Sequence, residues 1–311
     1  MESRWAVIWG VIAGFLTTAS AHAWDATGHQ VVARIAWDQM QPRTRQVAMD
    51  LLKAAPQDAG LLSLLSDDAR SLPDREREFF ARASTWPDIV RDEHFPGRRK
   101  AYHHSTWHYI NYFWEKPGPN ARPRDREDLK PDPENVVERL QHFQTALGDT
   151  SREKSTRAID LAWVLHLVGD IHQPLHTSAR VTPEEPKGDK GGNDFKLNGQ
   201  NNLHAYWDHL LDQTYPKVRG ETEDATISRV AGTIAQQHPF KKMQKRLHPG
   251  DFEEWAKEGF QTSKKTAYPK SLKRNEAPSQ SYAKKADKTA EPAIALAGYR
   301  LAKMLDKLLG R

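Results

Sequence analysis

The segment Leu161 to Ile171 is apolar on every side, yet it carries His166 and Asp170 and runs on through His172 and Pro174 to His176. A helix that is apolar all round belongs in a core. An ionised carboxylate is prohibitively costly there unless it is paired, so Asp170 requires a positively charged partner. His166, four residues earlier, lies on the same helical face. The spacing recurs in His204-Ala-Tyr-Trp-Asp208, a second segment of helical character. One such pair is ordinary on a helix surface. Two of them, the first extended by His176 just past Pro174, point to a multinuclear site of oxygen and imidazole ligands, the donor set that suits zinc.

The first residues have the form of an export signal. Arg4 precedes the uncharged apolar run Ala6 to Leu16, and Ala21-His22-Ala23 matches a small-residue cleavage site. The run is too short to span a bilayer, and no later stretch is apolar enough to do so. The expected division is a signal peptide over residues 1–23 and one functional domain over 24–311, secreted or periplasmic after cleavage between Ala23 and Trp24. The chain has no cysteine, so its stability rests on core packing and metal rather than disulfides. It also has no Asn-x-Ser/Thr site, and both absences suit a bacterial exported protein. A net charge of +5 favours polyanionic partners only weakly.

Helical periodicity dominates the rest. Val31 to Trp37, Val47 to Leu52 and Val136 to Phe143 repeat apolar groups at helical spacing. Ser151 is expected to cap the metal-bearing helix, and Ile294 to Leu309 to close the chain as an amphipathic helix. The strand signal is Asn193 to Asn201, whose Asn198-Gly199 reads as a hairpin turn. Glu115 to Pro133 and Ser263 to Thr289, rich in charge and Pro or Ser, are expected to be long surface loops. The fold class is therefore all-α, a single large helical domain with one small β-hairpin. The basic clusters Lys241-Lys242 to Arg246 and Lys264-Lys265 read as solvated faces.

Three further features join the two His/Asp pairs. Trp24-Asp-Ala-Thr-Gly-His29 follows the cleavage site, Trp86-Pro87-Asp88-Ile-Val-Arg91 places a carboxylate at a helix start, and Trp107-His108-Tyr109-Ile-Asn111 sets a His in an aromatic, extended stretch. Singly, each has an ordinary structural explanation: a helix-dipole carboxylate, a satisfied core histidine, a packed tryptophan. In this order and spacing, together with Ala297-Gly-Tyr-Arg-Leu-Ala302 near the end, they resemble the zinc-dependent single-strand nucleases of the S1/P1 family.

That resemblance implies the helical scaffold shared by these nucleases and zinc-dependent phospholipases C, with three zinc ions per chain. Residue by residue, it makes Asp88, His108, His166 and Asp170 the ligands of a first zinc. His176, His204 and Asp208 would hold a second. Asp170 would bridge to a third, completed by His29 and by the α-amine and carbonyl of Trp24. An N-terminal amine, with an ordinary pKa of about 8, deprotonates readily onto a metal. Asp88 and Arg91 would be the catalytic pair, with Tyr109 stacking on a base and Asn111 facing its edge, where the family often has Phe and Asp. The Gly188 to Asn193 loop also matches the family. The absence of cysteine implies its bacterial branch. His172 matches no ligand and is expected to support the ligands from behind, and His94, His103 and His104 read as incidental.

The implied activity is metal-assisted hydrolysis of single-stranded DNA and RNA to 5′-mononucleotides, with 3′-nucleotidase activity beside it, by a monomer that does not associate with membranes. A zinc-dependent phospholipase C is the rival enzyme, disfavoured by the short Trp24 to His29 spacing and by Asp208 where those enzymes tend to carry Glu. A non-catalytic exported zinc- or nucleic-acid-binding protein is the third possibility; the intact Asp88 and Arg91 argue against it.

Overall fold

In the computed structural model, which describes residues 24–118 and 120–310, helices begin where the sequence places cap residues and prolines. The expected signal peptide, Met1 to Ala23, lies outside the described residues. Asp25 accepts a hydrogen bond from the Gly28 N–H at 3.0 Å and starts α1 (Ala26–Gln39). Pro42 opens α2 (Pro42–Leu52), where its missing N–H has no partner to lose. Ser71 caps α3 (Leu72–Ala83), Pro87 lies in the first turn of α4 (Trp86–Ile89), and α5 (Pro96–Tyr102) follows. Asn135 caps α6 (Val136–Gly148) by accepting from the Val137 and Glu138 N–H groups.

The central element is α7 (Lys154–Asp170), in which every residue from Asp160 to Asp170 is buried. It packs against α1, α2, α4 and α6. Each of its buried Leu and Val side chains contributes about 1.5–3 kcal/mol relative to exposure. Ser151 does not cap it. The N-cap is Glu153, without a side-chain bond, while Ser151 turns back onto Asp149 Oδ1 and closes the preceding turn.

The remaining helices are α8 (Leu203–Asp208), α9 (Leu210–Thr214), α10 (Glu223–Gln237), α11 (Phe240–Met243), α12 (Phe252–Thr262) and α13 (Gln280–Leu309). The last corrects an expectation, for it begins at Gln280 rather than Ile294 and takes in residues read as loop. Tyr282, Ala286, Ala290 and Ile294 form a buried stripe at four-residue spacing that outweighs the intervening charges. A π-helical turn, Ser263–Ala267, extends α12 into the same segment.

The strands also lie elsewhere than expected. Asn193 to Asn201 forms only an isolated bridge, Leu197 to Gln200, with Gly199 at φ 74°. Its backbone is satisfied instead by the 275–276 loop, through Asn198 N–H to Glu276 O at 3.2 Å and Asn275 N–H to Lys196 O at 2.8 Å. The sheet is β1 (Tyr112–Glu115), β2 (Arg124–Asp125) and β3 (Ser178–Val181), in the order β2-β1-β3. β2 pairs antiparallel with β1 inside the segment read as a loop. β3 runs parallel to β1, with Tyr112 opposite Ser178. Helices nevertheless carry the core, as the all-α reading requires.

Candidate metal centre

Parallel pairing of β1 and β3 brings two histidines together. His108 ends a 3-10 turn, Ser105–His108, just before β1, and His176 lies in another, Pro174–Thr177, just before β3. Residues preceding parallel strands lie side by side. The Ile110 N–H donates to His176 O at 2.8 Å, and His176 Nδ1–H donates to His108 O at 2.7 Å. His108 thus belongs to a turn, and the extended backbone expected around it begins at Tyr109. α7 brings His166 and Asp170 to the same place, α1 brings His29, and α8 brings His204 and Asp208.

Backbone carbonyls fix the tautomers. A carbonyl can only accept, so the Nδ1 atoms of His166 (2.8 Å from Ser84 O), His176 and His204 (2.7 Å from Gly191 O) carry the protons. In the neutral ring each Nε2 then presents a lone pair. His176 Nε2 and His204 Nε2 nevertheless face each other at 2.9 Å, and His166 Nε2 lies 2.9 Å from His108 Nδ1. The two lone pairs of His176 and His204 repel unless a cation lies between them, and His166 Nε2 offers a third beside His108. Burial is the main reason that the rings stay neutral: it lowers His108 and His166 to about 4, against the pull of Asp170, and lowers His29 and His176.

The carboxylates fit the same reading. Asp170 is fully buried, with His108 Nδ1 at 3.1 Å, His166 Nε2 at 3.3 Å and His29 Nε2 at 3.3 Å. Burial alone would raise its pKa, but the three rings hold it well below the ordinary range. His29 Nε2 and Asp170 Oδ1, 3.3 Å apart, make no well-formed hydrogen bond, which leaves both atoms able to ligate an ion. Asp208, buried and bonded to Gln173 Nε2 at 2.7 Å, is pushed well above its ordinary value by burial, so its ionised form needs a nearby cation. Three groups can each hold an ion, with their ligand atoms within 4.8 Å of one another: His29, His166 and Asp170; Asp88, His108 and His166; and His176, His204 and Asp208. The donor chemistry fits zinc in all three. Trp24 is wholly buried at the head of α1, and the next residue donates its N–H to Asp208 O at 3.1 Å, placing the start of the described chain against the last group.

Asp88 pairs closely with Arg91 and lies 3.8 Å from His166 Nε2. Arg91 forms part of the wall of a cavity of about 280 Å³ that also contains Tyr109 and Asn111 beside His108, His176 and His204. Of the nine expected ligands, all but Trp24 fall in these three groups, and Arg91, Tyr109 and Asn111 share one cavity with His108, His176 and His204. His103, read as incidental, lines the cavity as well, as do Lys190 and Asn193. No spacing rule separated His103 from its neighbours His94, which is exposed, and His104, which stacks on Trp107. His172 does not support the ligands. Its Nδ1 bonds Val168 O and its Nε2 meets the buried Arg300, so it braces α13 instead. A further group, Asp25, His209 and Asp212, went unread because its members come from two distant segments; it is partly exposed and held by a His209 to Asp25 contact of 3.0 Å.

The profile described as S1/P1 Nuclease matches residues 24–310. The chain belongs to the S1/P1 nuclease family. Among its relatives, Endonuclease 2 of Arabidopsis thaliana is 26% identical over 204 residues, covering 62% of this chain and 57% of that protein. Endonuclease 1 of the same plant is 27% identical over 205 residues, covering 63% of this chain and 56% of that protein. The chain therefore matches little more than half the length of these curated S1/P1 relatives.

Proposed function

We propose that the chain is a zinc-dependent phosphodiesterase that cleaves single-stranded DNA and RNA to 5′-mononucleotides, with 3′-nucleotidase activity as a companion. The observation that carries this reading is the facing pair of proton-free nitrogens, His176 Nε2 and His204 Nε2 at 2.9 Å, in a cavity that is also lined by Arg91 and Tyr109. Family membership and the endonuclease names of the two relatives support it. Three zinc ions are proposed: one at Asp88, His108, His166 and Asp170, one at His176, His204 and Asp208, and one at His29 and Asp170, this last completed by the α-amine and carbonyl of Trp24 once residues 1–23 are removed. Bound there, zinc supplies Lewis acidity and lowers the pKa of water.

The protein's own residues would do the rest. Asp88, which borders the neighbouring cavity beside Arg91, would orient the attacking water in line with the phosphorus, so that the new P–O bond forms as the bond to the 3′-oxygen breaks and that oxygen leaves. Arg91 is held beside Asp88 and donates to a non-bridging phosphate oxygen, a charge-assisted contact that strengthens as negative charge develops. Tyr109 offers its ring to an unstacked base, and the Asn111 amide reads the base edge. The protein is proposed to act after export, as a monomer. Among the described residues no helix is long and apolar enough to cross a membrane.

The test is hydrolysis by protein purified without chelator, on single-stranded DNA, RNA, duplex DNA and a lecithin dispersion, before and after chelation and zinc return. Single strands should be cut fastest, and activity should vanish and recover with zinc. Lecithin hydrolysis without nucleic-acid cleavage would establish the phospholipase alternative instead.

A further inference from the structure

Beyond the metal ligands and their catalytic neighbours, the cavity is bordered by a loop whose shape is costly to maintain. Gly188, Gly191 and Gly192 have φ of 84°, 62° and 84°, and Lys190, between them, is also left-handed at φ 52°. That conformation suits glycine and costs a residue with a Cβ about 1–2 kcal/mol. The loop is firmly held. The buried Asp189 carboxylate accepts from Arg180 N–H at 2.9 Å and from Tyr268 Oη–H at 2.7 Å, and Gly191 O accepts from the ligand His204. Gly191 admits no side chain, because a Cβ there would meet Leu175 O at 2.3 Å. Lys190 is thus placed at the cavity rim by a scaffold that also orients a metal ligand.

Charge identifies what the rim would meet. The described residues lining this cavity include Arg91 and Lys190 and no carboxylate. The neighbouring cavity, of about 780 Å³, shares Arg91 but carries Asp25, Asp88, Asp92, Asp212 and Glu223. A polyanion is therefore favoured along the rim of the first, whereas in the second Arg82 and Arg91 are outnumbered by these carboxylates. Arg91, only 18% exposed and paired with Asp88, is the cation placed for the reacting phosphate. The Lys190 side chain is 76% exposed, and its partner Asp194 lies 3.3 Å away. An exposed pair of this kind is weak enough for a phosphate to displace.

Resting on the nuclease reading, we infer that Lys190 binds the phosphate next to the scissile one, on the nucleotide seated in the cavity, and so favours polynucleotides over substrates with a single phosphate. Lys190 is a specificity residue here and takes no part in the bond-breaking step. The test compares Lys190→Gly, which removes the ammonium and relieves the backbone, with Lys190→Arg, which keeps the charge. Substrates are a single-stranded oligonucleotide and a dinucleoside monophosphate, whose one phosphate is the scissile one. Lys190→Gly should raise KM for the oligonucleotide about threefold to fivefold with kcat nearly unchanged. It should also make the fall of log kcat/KM with log salt shallower by about 0.7, and Lys190→Arg should restore both. The dinucleoside monophosphate should be cut equally by all three proteins. Wild-type KM and salt slope in Lys190→Gly, or an equal loss on both substrates, would overturn the assignment while leaving the nuclease reading intact. A wild-type protein that cleaves neither substrate would overturn both.

Discussion

Gly169 lies in the last turn of α7, one residue before Asp170, and its replacement by alanine separates the needs of the helix from those of the metal centre. On propensity alone, Gly169→Ala in a helix interior should stabilise by about 1 kcal/mol. The added Cβ, however, would lie 2.7 Å from His29 Nδ1 and 3.0 Å from its Cε1. Ordinary contact begins near 3.4 Å, so the ring must retreat by about 0.7 Å. Such overpacking costs about 1–3 kcal/mol, so the metal-free protein should lose no more than about 2 kcal/mol. Ligand distances tolerate only about 0.2 Å, so the same displacement removes His29 from any ion it shares with Asp170. The ring has little freedom to compensate, since it is stacked on His166 at 3.9 Å and 13°, and His166 is itself tied to Ser84 O. Elemental analysis should show one zinc fewer than wild type, and hydrolysis should slow by about a hundredfold, the usual consequence of a misplacement near 1 Å. Melting with and without chelator should differ less than in wild type. A Gly169→Ala protein with full zinc content and wild-type turnover would refute the reasoning, because His29 would then be a packing residue.

Asp88→Asn should lower turnover by orders of magnitude and keep most of the zinc, whereas Asp170→Ala should lose zinc and thermal stability together, because Asp170 faces three imidazoles; metal analysis and melting of the two variants will check this. Tyr109→Ala should raise KM for single strands more than it lowers kcat and should narrow the preference for single strands over duplex; equal rates on both, unaffected by the change, would remove the stacking role. Burial, reinforced by contact with Asp25, raises Asp212 to about 6, from an ordinary value of 3.8. Folding therefore disfavours its ionised form, with a penalty that is full above about pH 6 and absent below about pH 4. Asp212→Asn should accordingly raise Tm in zinc-free melts at about pH 8, with the gain fading towards about pH 4, and a pH-independent difference would contradict this. A chain with Met placed before Trp24 should bind one zinc fewer than the exported protein and lose activity, as judged by metal content and nuclease rate; full zinc and activity would show that the α-amine is no ligand.

The ligand pattern was legible because burial and charge conflict: Asp170 in an apolar helix announces a partner, and the i,i+4 spacing names it. The short helix around His204 was legible for the same reason. The sheet was not. β1 and β3 are four residues each, and their pairing is fixed by contacts between segments more than sixty positions apart, which no local alternation records. Asn198-Gly199 gave a sound turn signal, yet the flanking backbone found its partners in the 275–276 loop. The start of α13 was masked by lysines, whose charges lie between the buried Tyr282, Ala286 and Ala290. His172 misled because it shares a motif with ligands, although its ring nitrogens meet Val168 O and Arg300. His103 and Lys190 carry no signal of their own, since an exposed lysine or loop histidine gains meaning only from the cavity beside it.

The parallel pairing of β1 with β3 determines where this chain can change length. His108 and His176 keep their separation because Ile110 and His176 are bonded across the strand entrances, so one residue inserted between His108 and Tyr112 would advance one ligand by about 3.3 Å against the other and reverse the faces of the strand. The same insertion in the connection from Glu115 to Arg124, beyond the far end of β1, would only lengthen a surface turn. Insertions and deletions should therefore accumulate among homologues between residues 116 and 123 and be excluded from the short stretches that precede the two strands, and an engineer seeking a place for a tag or a tether should choose the former.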